Sequence, residues 1–247
     1  MRILIISFDG LEYDWVKMFN LVGLKQKEYG KVDLSPILNL ENREIPYQIT
    51  TEVYATMVSG KNPVEGITGK KVLIHETLME RNIPSLFNLP NSLSVEVPSV
   101  AYPLQTAFSH SLIAEHVHKS RELELRKKLL DIAEEKTRLF EKKKLFNKKL
   151  VMVYYNFTDE LAHLSVIVNS HHHLFIVYRK AEEIAHRLTK AFGEGLVIVI
   201  SDHGMKVVDG IGKHSDHGFY SLSQPLGWQG IKITEVYDKI VRLYNEA

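Results

Sequence analysis

Three runs of strand-forming apolar residues stand out along the chain, and each ends at or just before an acidic residue. They read ILIISF at residues 3–8, LVMVYYNF at 150–157 and LVIVIS at 196–201. Continuous runs rich in Val and Ile are typical of strands that are buried on both faces of a parallel sheet. The three runs therefore predict central strands of an α/β sheet.

Other segments carry apolar residues every three or four positions, which is the spacing of one helix face. These segments are 13–24, 120–149 and 175–193, and a shorter helix is expected from Thr50 to Gly60. Lysines late in 120–149 suit the C-terminal end of a helix, so we interpret them as a solvated face. Residues 74–102 show mixed signals. The alternation of strand and helix predicts an α/β fold with a doubly wound, mostly parallel sheet and helices on both faces.

Composition excludes several kinds of site. The 247 residues include 31 Lys and Arg against 30 Asp and Glu, and the net charge of +1 gives no strong nucleic-acid signal. Cysteine is absent, so any metal must be held by His, Asp or Glu. The apolar start of the chain is interrupted at Asp9, too early for a signal peptide or a membrane span. We therefore expect a cytoplasmic protein with no membrane partner, and the oligomeric state stays open.

Each of the three predicted strands leads to an aspartate, namely Asp9, Asp159 and Asp202. A single aspartate in such a position is an ordinary cap or turn residue. Because the carboxyl ends of parallel strands meet at one edge of the sheet, where ligands bind, we expect the three side chains to lie close together. Their shared position favours a functional site at this edge.

Histidines accompany two of these acids. Asp159 and His163 are four residues apart, so on a helix they project from one face and can hold one cation. His203 directly follows Asp202, and Gly204 lets the turn direct both side chains to one point. A later glycine-flanked loop adds His214 and His217. Together these side chains offer enough oxygen and nitrogen ligands for two divalent ions, a pair that suits phosphoryl transfer.

A nucleophile for such a reaction is available in ITTEVYATMVSG, where threonine stands at a helix start. The N-terminus of a helix favours an anion, and a metal can activate a threonine hydroxyl. The structural alternative is that Thr50 or Thr51 only caps the helix, with Glu52 in the first turn. Taken alone, the pattern favours capping.

Five segments resemble motifs of the alkaline phosphatase superfamily, in particular its type I phosphodiesterase and nucleotide pyrophosphatase group. They are SFDG, ITTEVYATMVSGKNPVEGI, NFTDELAH, SDHGM and HSDHGF, in the order and approximate spacing of that superfamily. The resemblance implies an alkaline phosphatase-like core in a single domain, residues 1–247. Within it, residues 71–149 would be a family-variable segment of helix and loop.

The resemblance also implies roles for individual residues. Asp9, Asp202 and His203 would hold one metal, with Thr50 as the nucleophile on it. Thr50 is preferred to Thr51 because the nucleophile of the family's motif stands ten residues before a glycine, which is Gly60 in this sequence. Asp159, His163 and one histidine of the HSDHG loop would hold the other metal; His214 is favoured and His217 stays open. The family usually uses zinc, which suits these ligands, with manganese or magnesium as alternatives.

The expected function is therefore metal-dependent hydrolysis of phosphate esters, with phosphodiesters or nucleotides as small-molecule substrates and a phosphothreonine intermediate. The alternatives are a phosphomonoesterase or cofactor-independent phosphosugar mutase of the same superfamily, and a non-catalytic protein that binds metal for stability. A dehalogenase-type phosphatase is excluded, since Leu11 stands where that chemistry needs a second acid. Three consecutive histidines at 171–173 are interpreted as surface, because adjacent residues point in different directions.

Overall fold

The computed structural model describes residues 1–38, 50–62, 77–100, 122–142 and 147–246. Its strands are β1 (Ile3–Phe8), β2 (Glu28–Asp33), β3 (Ser92–Val95), β4 (Leu150–Tyr155), β5 (Leu196–Ile200), β6 (Met205–Val208), β7 (Ile211–His214) and β8 (His217–Leu222). Six of them form one sheet in the order β2-β8-β5-β1-β4-β3, while β6 and β7 form a separate hairpin. The four strands from β5 to β3 are parallel, and β8 runs antiparallel to both of its neighbours. The predicted mostly parallel sheet is confirmed.

Helices cover both faces of this sheet, as expected. They are α1 (Tyr13–Met18), α2 (Ser35–Leu38), α3 (Thr50–Ser59), α4 (Glu122–Lys142), α5 (Phe157–Ile167), α6 (His171–Phe192) and α7 (Ile233–Asn245), with a 3₁₀ turn at Leu86–Asn88. Successive side chains of β1 point to opposite faces, so Leu4 and Ile6 pack with α4, α5 and α6, whereas Ile3 and Ile5 pack with α3 and α7. This burial on both faces is why the central strands are continuously apolar.

Helix boundaries differ from the sequence prediction at two places. The expected helix over 13–24 is wrong beyond Met18, because the chain turns at Asn20, which has a φ of 50°. The expected helix over 175–193 begins earlier, at His171, because the Ser170 hydroxyl caps it by accepting the His173 N–H at 3.3 Å. The three histidines at 171–173 therefore form the first turn of α6.

The middle of the chain is described in part. Helix α4 confirms the long helix expected within 120–149, although residues 143–146 lie outside the described ranges. β3 and the 3₁₀ turn occupy the region that the sequence left unassigned. Within the part of the chain that is described, no helix is both long and apolar enough to cross a bilayer.

Candidate metal centre

The acids predicted at the strand ends lie at one edge of the sheet. Asp9 follows β1, Asp202 follows β5, and Asp159 lies in the first turn of α5 directly after β4. β1 lies between β4 and β5, and neighbouring strands are only about 4.8 Å apart. Contact between the loops requires glycine at Gly10, where φ is +64° and an added Cβ would come within 2.5 Å of Asp159 Oδ1.

A first group of ligand atoms consists of Asp9, Asp202 and His203. One oxygen or nitrogen from each lies within 4.8 Å of the others, and all three residues are buried. His203 Nε2 is 3.3 Å from Asp9 Oδ1 and 3.5 Å from Asp202 Oδ2. The distances and the residue types match the first ligand set that the motifs implied.

A second group is formed by Asp159, His163 and His214, and ligand atoms of Asp159 and His214 also lie within 4.8 Å of one another and of His203. Asp159 Oδ1 is 3.5 Å from His163 Nε2 and 4.0 Å from His214 Nε2, and the two imidazoles approach to 3.4 Å between their Nε2 atoms. The helical spacing of four residues places Asp159 and His163 on one face of α5, as expected. The second group touches the first, since His214 stacks on His203.

His217 is not part of this second group. Its Nε2 lies 3.1 Å from Glu12 Oε1, and its Nδ1 lies 3.1 Å from Asp216 Oδ1. Glu12, Asp14 and His217 form a third set of ligand-type atoms within 4.8 Å of one another. The structure therefore brings six of the eight side chains predicted for the site into the two main groups and sets His217 apart, while Thr50 is the first residue of α3.

The charges of the first group depend strongly on one another. Burial opposes ionisation of Asp9, but His203 and the Tyr154 hydroxyl outweigh it and lower the pKa of Asp9. Burial and the neighbouring charge of Asp9 raise the pKa of Asp202 well above its usual value. Burial disfavours a charged His203, yet Asp202 and Asp9 raise its pKa to about 10. Two buried carboxylates side by side thus favour a positive charge between them, either a proton on His203 or a metal ion.

The first group fits a divalent metal. Asp9 Oδ1, Asp202 Oδ2 and His203 Nε2 are buried atoms that form no hydrogen bond within the described ranges. The His203 Nδ1–H donates to the Gly204 carbonyl at 3.0 Å, which leaves the Nε2 lone pair for a metal. Oxygen and imidazole nitrogen without thiolate form a ligand set that suits Zn²⁺.

Thr50 begins α3, and this helix is tied to the first group through two tyrosines. Tyr54, one turn after Thr50, shares a 2.5 Å hydrogen bond with Ser7 and packs edge-on against Tyr154, with 5.2 Å between ring centroids. The Tyr154 hydroxyl donates to Asp9 Oδ2 at 2.5 Å. Thr50 and Tyr54 are four residues apart and so lie on the same face of α3. Thr50 and Thr51 are both partly exposed, and the hydroxyl oxygen of Thr51 is buried.

Sequence reasoning missed Tyr154 and Glu12. Tyr154 lies inside the apolar run of β4, where an aromatic residue indicates burial and nothing shows that its hydroxyl meets Asp9. Glu12 follows the SFDG segment, but an acid in a turn usually faces solvent, and here it is only 3% exposed. The histidines at 171–173, by contrast, lie on the surface or partly exposed and belong to none of the ligand groups among the described residues.

Comparison with solved structures identifies the fold. The alkaline phosphatase from the Antarctic bacterium TAB5 superposes with a TM-score of 0.56 at 11% identity, over 99% of this chain and 97% of that one. A variant of that phosphatase with Mg bound gives 0.53 at 12% identity with the same coverage. Murine ectonucleotide pyrophosphatase/phosphodiesterase 5 gives 0.45 at 15% identity, over 83% of this chain and 57% of that one, too distant to support a conclusion. No protein-family model and no curated protein matches the chain.

Proposed function

We propose that this chain, which has the alkaline phosphatase fold, is a metal-dependent phosphoester hydrolase with Thr50 as its nucleophile. The observation that carries this proposal is the meeting of two groups of ligand atoms, which share the stacked rings of His203 and His214. Structural histidines are normally satisfied by hydrogen bonds, whereas here His203 Nε2 faces two acids without one among the described residues. Such an arrangement is suited to a pair of cations.

Two divalent ions, when bound, would activate the Thr50 hydroxyl and water and would stabilise the leaving oxygen. Asp9, Asp202 and His203 would hold one ion, and Asp159, His163 and His214 the other. We propose zinc for both, with manganese or magnesium as alternatives, because the donor atoms are carboxylate oxygen and imidazole nitrogen. His217 is assigned no ligand role, since both of its ring nitrogens face carboxylates.

The protein's own contribution is to position the nucleophile. Thr50 stands at the N-terminus of α3, where the helix dipole favours the anionic phosphate. Its Oγ forms a bond to phosphorus as the bond to the leaving oxygen breaks, which gives a phosphothreonine that water then hydrolyses. We propose Thr50 and not Thr51 because the motif places the nucleophile ten residues before the glycine that is Gly60 here.

We propose phosphodiesters or nucleotides as the substrate class, on the basis of the sequence motifs. A second candidate is a phosphomonoesterase, which is favoured by the likeness to the TAB5 alkaline phosphatase over nearly its whole length. Activity on bis-p-nitrophenyl phosphate against p-nitrophenyl phosphate distinguishes the two. A phosphosugar mutase would instead transfer phosphate without net release.

The test compares wild type with Thr50→Ala and Thr51→Ala, neighbouring threonines on the same helix. We expect Thr50→Ala to lower kcat by about 10³-fold or more, because a lost nucleophile removes the intermediate. Thr51→Ala should keep most of the turnover, and both variants should bind metal. Retained turnover in Thr50→Ala contradicts the nucleophile assignment. A wild type that binds two ions and hydrolyses no ester supports a non-catalytic metal-binding protein instead.

A further inference from the structure

We propose that Glu12 is a positioning residue of the metal centre, which it serves by holding together the loops that carry the ligands. This inference rests on the proposed function, because it assumes that the two groups of ligand atoms bind metal ions. Glu12 lies in the loop after β1, three residues beyond Asp9, and is only 3% exposed. Its side chain contacts both the loop after β5 and the turn between β7 and β8.

The Glu12 carboxylate accepts donors from two of these segments. Its Oε2 accepts the Ser215 hydroxyl at 2.5 Å, and its Oε1 accepts His217 Nε2–H at 3.1 Å. The Oε1 atom also accepts the backbone N–H of Asp14 at 3.0 Å. Ser215 directly follows His214, so this carboxylate fixes the position of the chain just beyond a proposed ligand.

The third segment is held by close packing. At Gly204 an added Cβ would lie 2.1 Å from Glu12 Oε2, so only glycine allows the SDHG turn to approach the carboxylate this closely. The Gly204 carbonyl accepts the Ser215 N–H at 2.9 Å and His203 Nδ1–H at 3.0 Å. Gly204 N–H in turn donates to the His217 carbonyl at 2.8 Å.

These contacts connect Glu12 to both imidazoles of the stack. The Gly204 carbonyl sets the tautomer and the orientation of His203, and that carbonyl is held by Ser215, which Glu12 binds. Ser215 also anchors the end of β7, from which His214 projects. Displacement of Glu12 would therefore move both rings relative to Asp9 and Asp159. Partners of this kind, beyond the ligands themselves, commonly change metal affinity by about 10- to 100-fold.

A direct ligand role for Glu12 is the competing interpretation, because Glu12, Asp14 and His217 lie near one another. Both Glu12 oxygens already accept hydrogen bonds, however, and Asp14 is an exposed residue that pairs with Lys31 at 3.2 Å. The surroundings of Glu12 therefore fit a structural link between loops better than a third metal site.

The test measures zinc affinity by chelator competition and the visible spectrum of the Co²⁺-loaded protein, which reports ligand geometry. The variants are Glu12→Ala, Glu12→Gln and Ser215→Ala. The matched control is Glu28→Ala, since Glu28 is also a buried carboxylate, one that accepts backbone N–H groups of Leu226, Gly227 and Trp228 on the opposite edge of the sheet.

We expect Glu12→Ala to weaken zinc affinity by about 10-fold or more and to change the Co²⁺ spectrum. Glu12→Gln should rescue part of the affinity, because the amide restores an acceptor, and Ser215→Ala should give a smaller loss. Glu28→Ala should lower thermal stability while leaving affinity and spectrum unchanged. If Glu12→Ala does not fold, the zinc affinities of Ser215→Ala and Glu12→Gln, each compared with that of the wild type, decide the question.

Three results would overturn the inference. If the Glu12 variants keep the zinc affinity and the Co²⁺ spectrum of the wild type, Glu12 does not position the metal centre. If the wild type binds three zinc ions at saturation and Glu12→Ala binds two, Glu12 is itself a metal ligand. A wild type that binds no metal would remove the centre itself. Failure of the proposed function gives a different result, namely normal metal binding without ester hydrolysis. In that case the zinc affinities of the wild type and the variants still decide the role of Glu12.

Discussion

The imidazole rings of His203 and His214 stack with 3.7 Å between their centroids and 15° between their planes. His203 comes from the loop after β5 and His214 from the end of β7, so the stack joins two groups of ligand atoms into one centre. His217, which lies three residues further along, contacts Glu12 instead. Two histidines that sequence spacing left as alternatives thus have different surroundings.

The first prediction separates these two histidines by metal content. We expect His214→Ala to bind one ion fewer per chain at saturating zinc, because its Nε2 faces Asp159. His217→Ala should keep both ions and show only weaker affinity, since its ring contacts Glu12. Metal analysis after gel filtration measures both. Loss of an ion in His217→Ala with none in His214→Ala would reverse the assignment.

Removal of metal should abolish activity and lower stability together. The buried carboxylates of Asp9 and Asp202 would repel each other without a cation. At a metal concentration of 100 times the dissociation constant, one ion adds about 2.7 kcal/mol to the free energy of unfolding. Thermal unfolding with and without EDTA, followed by zinc addition, measures the effect. An unchanged melting temperature after verified metal loss would contradict a metal centre.

Tyr154 should influence the metal site through Asp9. Tyr154→Phe keeps the ring and removes the hydroxyl that donates to Asp9 Oδ2. We expect metal affinity to fall by about 10-fold, because the carboxylate loses its orienting partner. The control is Tyr155→Phe, whose hydroxyl pairs with Thr137 at 2.9 Å on the other face of β4. Chelator competition compares the variants, and equal losses in both would indicate a general packing effect.

Glu28 should make stability depend on pH. Burial opposes its ionisation, but the N–H groups of Trp228, Gly227 and Leu226 outweigh it and lower its pKa below the usual 4.5. A lowered pKa in the folded state means that the stabilisation is present above the unfolded-state pKa and is lost as pH falls through the folded value. The loss therefore begins below about pH 4.5.

Urea unfolding of wild type and Glu28→Gln tests this expectation across acidic pH. At neutral pH the variant should lose about 1–3 kcal/mol, because a backbone donor is left with a weaker acceptor. The difference between the two proteins should shrink as the pH falls below about 4. A difference that stays constant would show that the charge of Glu28 contributes nothing.

Much of the fold follows from the sequence because its central strands are buried on both faces. β1, β4 and β5 have no polar interruption except Ser7, which bonds Tyr54, so their apolar runs are unmistakable. β2, β8 and the β6–β7 hairpin were not predicted. Their residues include His, Lys, Gly and Ser. β2 and β8 become strands through pairing with partners far along the chain, as in the antiparallel contact of β8 with β5, whereas β6 and β7 pair with each other across the turn at Asp209 and Gly210.

The sequence by itself determined which residue types could form the site and which sheet edge would carry them. Asp9, Asp159 and Asp202 each follow a strand, and helical spacing alone aligns Asp159 with His163. The single domain and the cytoplasmic location stay predictions.

Only the tertiary structure separated His214 from His217 and placed Glu12 and Tyr154 beside the ligands. Local spacing describes positions within one element, whereas these contacts arise between segments up to about two hundred residues apart, as in the hydrogen bond from Ser215 to Glu12. The order of strands across the sheet, together with the close approach permitted at Gly10 and Gly204, decides which side chains meet.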